Sequence, residues 1–159
     1  MKRILSLICM AGLAMPTFGD TMVETALVLP PVEQWQSEPT LQLDAVEINL
    51  DDFKWIARPV VVFADSPNDP RLQEQVDLLA ARADELAVRD VVVLVDSNPA
   101  ANSAIRQKLR PRGFMLVLIG KDGGVKLRKP SPWDVREISR TIDKMPLRRQ
   151  EIRDRNRSE

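Results

Sequence analysis

The sequence predicts an α/β fold, a three-layer sandwich with core order β-α-β-α-β-β-α, on three observations. Residues 60–63 and 91–95 are apolar at every position and rich in valine, as expected of strands buried on both faces of a parallel sheet. Between them Leu72, Val76, Leu79, Ala83 and Leu86 form one helical stripe, so a right-handed crossover places the two strands side by side. Further on, residues 114–119 and 125–128 flank Asp122-Gly123, a strong hairpin signal, and the hairpin is expected on the other flank of the sheet.

Taken from the front, Lys2 and Arg3 precede an apolar run at 4–14, and small and turn residues follow up to Gly19. This is the layout of an export signal, residues 1–19, with cleavage after Gly19 and Ala14 as second choice. Its 11 apolar residues are too few for the roughly 20 that a membrane span requires, so a periplasmic or secreted chain without a membrane span is expected. Residues 20–47, interrupted by Pro30-Pro31 and Pro39, read as an irregular lead-in in which Leu41-Gln42-Leu43 could add an edge strand.

Residues 48–147 then form the domain, and 148–159 a basic C-terminal tail that either extends the last helix or hangs free. Its first helix opens at Asp69-Pro70, a capping carboxylate followed by proline at the first helical position. Asn98-Pro99 opens a second, short helix with Ala101, Ala104, Ile105 and Leu109 on one side, ending near Pro111 and Gly113. Ser131-Pro132 starts the last helix, with Asp134 at the capping-box position and Val135, Ile138, Ile142 and Met145 along one face. This is the connectivity of the thioredoxin fold; a flavodoxin-like domain is the runner-up, disfavoured because the closing hairpin breaks the βαβ alternation.

The chain carries 23 basic and 23 acidic residues, no histidine and one cysteine, Cys9, inside the signal. An exported form would thus lack thiols, so packing rather than disulfides must hold it together. The charge is uneven: residues 20–57 hold eight acidic groups and Lys54 alone as a base, whereas 106–159 hold sixteen basic groups against seven acidic ones. Either the two halves neutralise each other on folding or the basic residues merely line solvated helix faces, which is the preferred reading, or the basic end faces a partner protein, glycans or anionic envelope lipids. Nucleic acid is not expected as a partner, because no aromatics interleave with the basic residues.

Asn49-Leu50-Asp51-Asp52-Phe53 before the first core strand resembles the lead-in of peroxiredoxins, and residues 113–119 with 121–125 resemble their later hairpin. Through the stretches FADSPNDPRLQEQ (63–75), IGKDGGVKLR (119–128) and MPLRRQEIR (145–153), residues 48–152 resemble a secreted peroxiredoxin-like domain family of unknown function. That family occurs in exported bacterial proteins and in equarin-type animal extracellular proteins. The resemblance implies a thioredoxin-like (peroxiredoxin-like) sandwich and places the reactive cysteine of active peroxiredoxins in the loop 64–71, which here reads Ala-Asp-Ser-Pro-Asn-Asp-Pro-Arg. Neither Ser66 nor Asp69 replaces a thiolate, so no thiol peroxidase or oxidoreductase activity is expected, and no catalytic residue, cofactor or metal is assigned.

Ligands of open α/β sheets collect beyond the carboxyl ends of the parallel strands. That rule makes a candidate ligand edge of Asp65, Ser66, Asn68 and Asp69 after one strand, Asp96, Ser97 and Asn98 after the next, and Arg112 at the entry of the antiparallel strand. Three uses are open: oxygen ligands from Asp65, Asp69 and Asp96 for a hard cation, paired carboxylates for hydrolysis, or plain structure, with Asp69 and Asn98 capping helices and Asp65 or Asp96 paired to Arg112; a degenerate peroxiredoxin-like redox protein is a separate alternative for the whole chain. The plain reading is preferred, and with it a non-catalytic binding or interaction module. Of the three tryptophans, Trp133 is expected half-exposed, either anchoring a partner or covering a core edge.

Overall fold

The computed structural model describes residues 29–158, so the expected export signal and Cys9 lie outside the described residues. A five-stranded sheet is built from β1 (Gln42–Asp44), β2 (Arg58–Phe63), β3 (Val91–Asp96), β4 (Met115–Ile119) and β5 (Val125–Lys129), in spatial order β1-β3-β2-β4-β5. β3 runs parallel to both β1 and β2, while β4 is antiparallel to β2 and β5 antiparallel to β4. This is the thioredoxin-like sandwich that the order of elements implied, with the hairpin on the expected flank.

Strand alternation sorts the buried side chains into two cores. Val61, Phe63, Val92, Leu94, Val117 and Ile119 face one layer, formed by α1 (Pro31–Ser37), the 3₁₀ turn Leu50–Phe53 and α4 (Ala104–Leu109). Val60, Val62, Val91, Val93, Leu116 and Leu118 face the other, formed by α2 (Pro70–Ala80), α3 (Ala83–Ala87) and α5 (Val135–Asp143). The hairpin bend at 120–124 turns through Gly123 at φ 77°, where a Cβ would come within 2.6 Å of Lys54 Cε.

Several boundaries differ from the sequence expectations, each for a physical reason. The lead-in is not irregular: it holds α1, whose Trp35 is buried and donates its indole N–H to the Val91 carbonyl at 3.1 Å, and the edge strand β1. The stripe from Leu72 to Leu86 spans two helices rather than one, broken at Arg82 (φ −136°); Leu72, Leu79 and Leu86 still share a core because seven residues make about two turns.

Asn98 caps nothing with its side chain. Asn102 turns left-handed at φ 47°, and a new helix starts at Ser103, whose Oγ accepts from the Arg106 N–H. Likewise α5 starts at Asp134, not Ser131-Pro132, because the buried Gln75 amide grips both backbone groups of Trp133 and holds it out of the helix. The supposed tail is helix α6 (Pro146–Ser158), and its Arg148 is buried. The domain therefore runs on past 147: Glu151 pairs with Arg58, which opens β2, at 2.8 Å.

Candidate functional site

β2 and β3 end side by side, and their continuations form the two lips of a shallow cleft of about 520 Å³. Asp65, Ser66 and Pro67 make one lip; Ser97, Asn98, Pro99 and Ala100 make the other. The loop between β2 and α2 is shaped by its own short-range bonds. Ser66 Oγ accepts from the Asn68 N–H, and Asp69 accepts from the Arg71 N–H, so Asp69 caps α2 as its proline-containing sequence demands. The Arg71 guanidinium also hydrogen-bonds Asp69 and holds its carboxyl below the usual range.

Beneath the lips lies a fully buried charge. Asp96, the last residue of β3, accepts from Ser103 Oγ at 2.6 Å and from Arg106 Nη2 at 2.8 Å. Arg106 reaches the edge from the first turn of α4 and also donates to the Ala64 carbonyl at 2.9 Å. Its guanidinium stacks over the Phe63 ring at 5.4 Å and stands 3.5 Å from the exposed Asp65 carboxylate. Every oxygen of this cluster is spoken for, as buried charge requires.

The edge thus brings together Asp65, Ser66 and Asp96, but with a different cation. Arg112, expected to neutralise Asp65 or Asp96, is exposed and enters no ion pair among the described residues; Arg106 takes that role. β4 does enter at this edge, since a Cβ on Gly113 would stand 3.8 Å from Asp65 Oδ2, yet the carboxylates there pair with Arg106 and not with Arg112. Arg106 was hidden by the assumption of a helix from Asn98. Starting the helix at Ser103 puts residue 106 in its first turn, directly above the strand ends.

The three carboxylates do not converge. Asp69 is committed to Arg71 and the helix cap, Asp96 is buried under Ser103 and Arg106, and Asp65 is exposed against Arg106. Among the described residues no three acidic side chains gather as a metal ligand set. Ser103 has the hydroxyl nearest a carboxylate, but it is buried and also caps α4, so it is not presented as a nucleophile.

Trp133 is half-buried against the α5 core, with Lys129 Nζ 4.5 Å from its ring centre, and so covers a core edge.

The strand order and the closing hairpin define a thioredoxin-like domain whose cleft is lined by no cysteine. Residues 49–151 match the model of a domain of unknown function (DUF4174), and the chain belongs to that family. It is 30% identical over 138 residues to coiled-coil domain-containing protein 80 of Danio rerio, an overlap covering 68% of this chain and 16% of that protein. Similar solved structures include thioredoxin peroxidase I of Plasmodium yoelii (17% identity, 60% of this chain and 76% of that one, TM-score 0.49). Chloroplastic thioredoxin z is another (25% identity, 55% and 80%, TM-score 0.43).

Proposed function

We propose that this chain is an exported, non-catalytic binding module that keeps the thioredoxin-like scaffold without its chemistry. The observation that carries the reading is the buried Asp96, Ser103 and Arg106 cluster, which fills the floor of the cleft with mutually satisfied groups. Such a cluster fixes the positions of the two lips; it offers no free nucleophile or base. The chain's single cysteine, Cys9, falls in the expected export signal and outside residues 49–151.

The test is peroxide consumption and dithiol exchange by the purified chain starting at Asp20, both expected to equal the buffer rate. Turnover above that rate refutes the reading. Thermal melting with divalent cations separates it from a metal-dependent module: a ligand that binds only the folded state raises the midpoint. No rise is expected, and a rise abolished by Asp65→Ala refutes the non-catalytic reading in favour of a metal site.

A further inference from the structure

The end of the sheet opposite the cleft differs from the rest of the surface. Of six large apolar residues exposed among the described residues, five belong here: Trp55 and Ile56 before β2, Val88 before β3, Val125 at the start of β5, and Ile152 on α6. Polar contacts join Trp55, Val88 and Ile152 around one network. The Trp55 N–H donates to the Lys121 carbonyl at 2.7 Å, Lys121 Nζ is 3.0 Å from Glu151 beside Ile152, and Arg148 donates to the Val88 carbonyl at 3.1 Å.

Trp55 is 68% exposed and sits at φ 64°, a left-handed conformation that bulky L-residues rarely adopt. Its turn is pinned on the far side too, by the Ile56 and Ala57 N–H groups on the Phe53 carbonyl. A strained, rigid turn therefore presents an uncovered indole to solvent. Strain of this kind, kept together with exposed apolar area, points to a surface that something covers.

Charge indicates what covers it. Arg149, Arg153 and Arg157 recur every fourth residue along α6 and so share one face, Arg155 lying on the opposite side; all four are exposed. Among the described residues only Asp154, 3.6 Å from Arg157, opposes them on the exposed helix, because Glu151 is engaged inward by Arg58 and Lys121. Around Trp55 Lys54 pairs with Asp51 at 2.9 Å and Lys126 with Asp122 at 2.6 Å, which leaves the exposed Asp52 as the carboxylate of that turn without an ion pair among the described residues. An exposed aromatic tip at the end of the molecule where α6 docks and carries its arginine stripe matches the boundary of an anionic bilayer, where indole rings settle at headgroup depth and guanidinium groups pair with phosphates.

We propose that this end docks peripherally on anionic phospholipid bilayers, with Trp55 entering the headgroup layer and Arg149, Arg153 and Arg157 pairing with lipid phosphates. The proposal goes beyond the binding-module reading, since it holds whatever the cleft does.

The test uses the chain from Asp20, which removes the apolar run 4–14 and keeps both cores, whose buried residues all lie between Trp35 and Ile142. It is mixed with vesicles of phosphatidylcholine alone or of equal parts phosphatidylcholine and phosphatidylglycerol, and flotation and tryptophan emission are read. The expected result is flotation with the anionic vesicles only, a blue shift of the emission, and release at about 1 M salt, where screening acts within about 3 Å. Each arginine near the surface is worth about fivefold in partitioning, so Arg149→Gln, Arg153→Gln and Arg157→Gln together should weaken it about 100-fold. Trp55→Ala should abolish the blue shift, with melting midpoints confirming that all variants fold. Failure to float with anionic vesicles overturns the proposal, and so does equal flotation with the neutral ones. An unchanged partition in the arginine variant or an unchanged emission overturns it as well. Release by inorganic phosphate beyond that by chloride at equal ionic strength would indicate an isolated phosphate site instead, and binding only to a protein partner would also refute it.

Discussion

Replacing Glu151 by glutamine tests whether the last helix is part of the fold. Arg58 is 1% exposed at the start of β2, and its Nη2 donates to Glu151 at 2.8 Å while Nη1 donates to the Arg89 carbonyl at 2.8 Å. The glutamine keeps the shape but removes the counter-charge. Removing one partner of a fully buried pair costs about 3 to 5 kcal/mol. Here Asp90 still stands 3.7 Å from Arg58, and the Glu151 side chain is 21% exposed. The expected loss is therefore about 2 to 3 kcal/mol at neutral pH, read by urea unfolding.

The same variant should flatten the acid limb of the stability curve. Burial works to raise the Glu151 carboxyl, but hydrogen bonds and charge from Arg58 and Lys121 outweigh it and hold the group below 4.5. A carboxyl depressed on folding contributes stability that is present above its unfolded value and is lost as pH falls through the folded one. The parent chain should thus lose stability as pH drops below about 4.5, and the glutamine variant should lose less over that window. Asp143, held low by the Arg89 guanidinium, leaves part of the slope in both. A loss under about 0.5 kcal/mol at neutral pH, the size of a surface pair, would refute the docking of α6 on β2. Arg58→Met with Glu151→Leu should recover most of the loss, since apolar groups replace buried ion pairs well.

At the cleft, Asp96→Asn should destabilise by about 3 kcal/mol, because it leaves the largely buried Arg106 short of its main counter-charge, whereas Asp65→Ala at the exposed lip should cost under about 0.5 kcal/mol. Equal losses in chemical unfolding would contradict this division. Gln75→Leu should cost about 2 to 3 kcal/mol by leaving the N–H and C=O of Trp133 without partners, and a neutral result would show that Gln75 does not set the start of α5. Trp55→Gly should stabilise by about 0.5 to 1 kcal/mol, the relief of the left-handed strain outweighing the added backbone entropy of glycine in the unfolded chain. A lower melting midpoint would mean that the indole supports the fold.

The sheet was legible because each buried strand is an unbroken apolar run and because Asp122-Gly123 marks the hairpin; these signals are local. Helix starts were harder. Asn98-Pro99 and Ser131-Pro132 carry the same capping chemistry as Asp69-Pro70, yet only Asp69 caps. What decides is tertiary: Gln75, 58 residues from Trp133, occupies the backbone that an earlier start of α5 would need. At the cleft the acidic positions could be read from strand ends alone. The cation could not, because which arginine reaches Asp96 depends on where α4 begins. Trp55 left no sequence signal either, since a left-handed φ at a tryptophan contradicts its propensity.

The uneven charge of the chain left open neutralisation between the halves, a solvated helix face or a basic face for a partner, and of the ion pairs made by the basic end only Lys108 with Asp51 joins the two halves among the described residues. Lys108 of α4 crosses to Asp51 at 3.2 Å, Lys121 of the hairpin bend to Asp90 at 2.8 Å, and Arg106 to Asp65 and Asp96. These basic groups lie where packing brings acidic residues within reach, so folding consumes them. On α6 only Arg148, turned inward within reach of Asp143 and Glu151, is consumed in the same way. Beyond Glu151 the helix runs past the domain's acidic groups, and Arg153, Arg155 and Arg157 have only Asp154 of their own helix as a described counter-charge. Surface ion pairs contribute little to stability, so the fold gains little from these arginines. Their positive field is what the proposed bilayer docking would use, and salt dependence of vesicle binding separates that use from a merely solvated helix face.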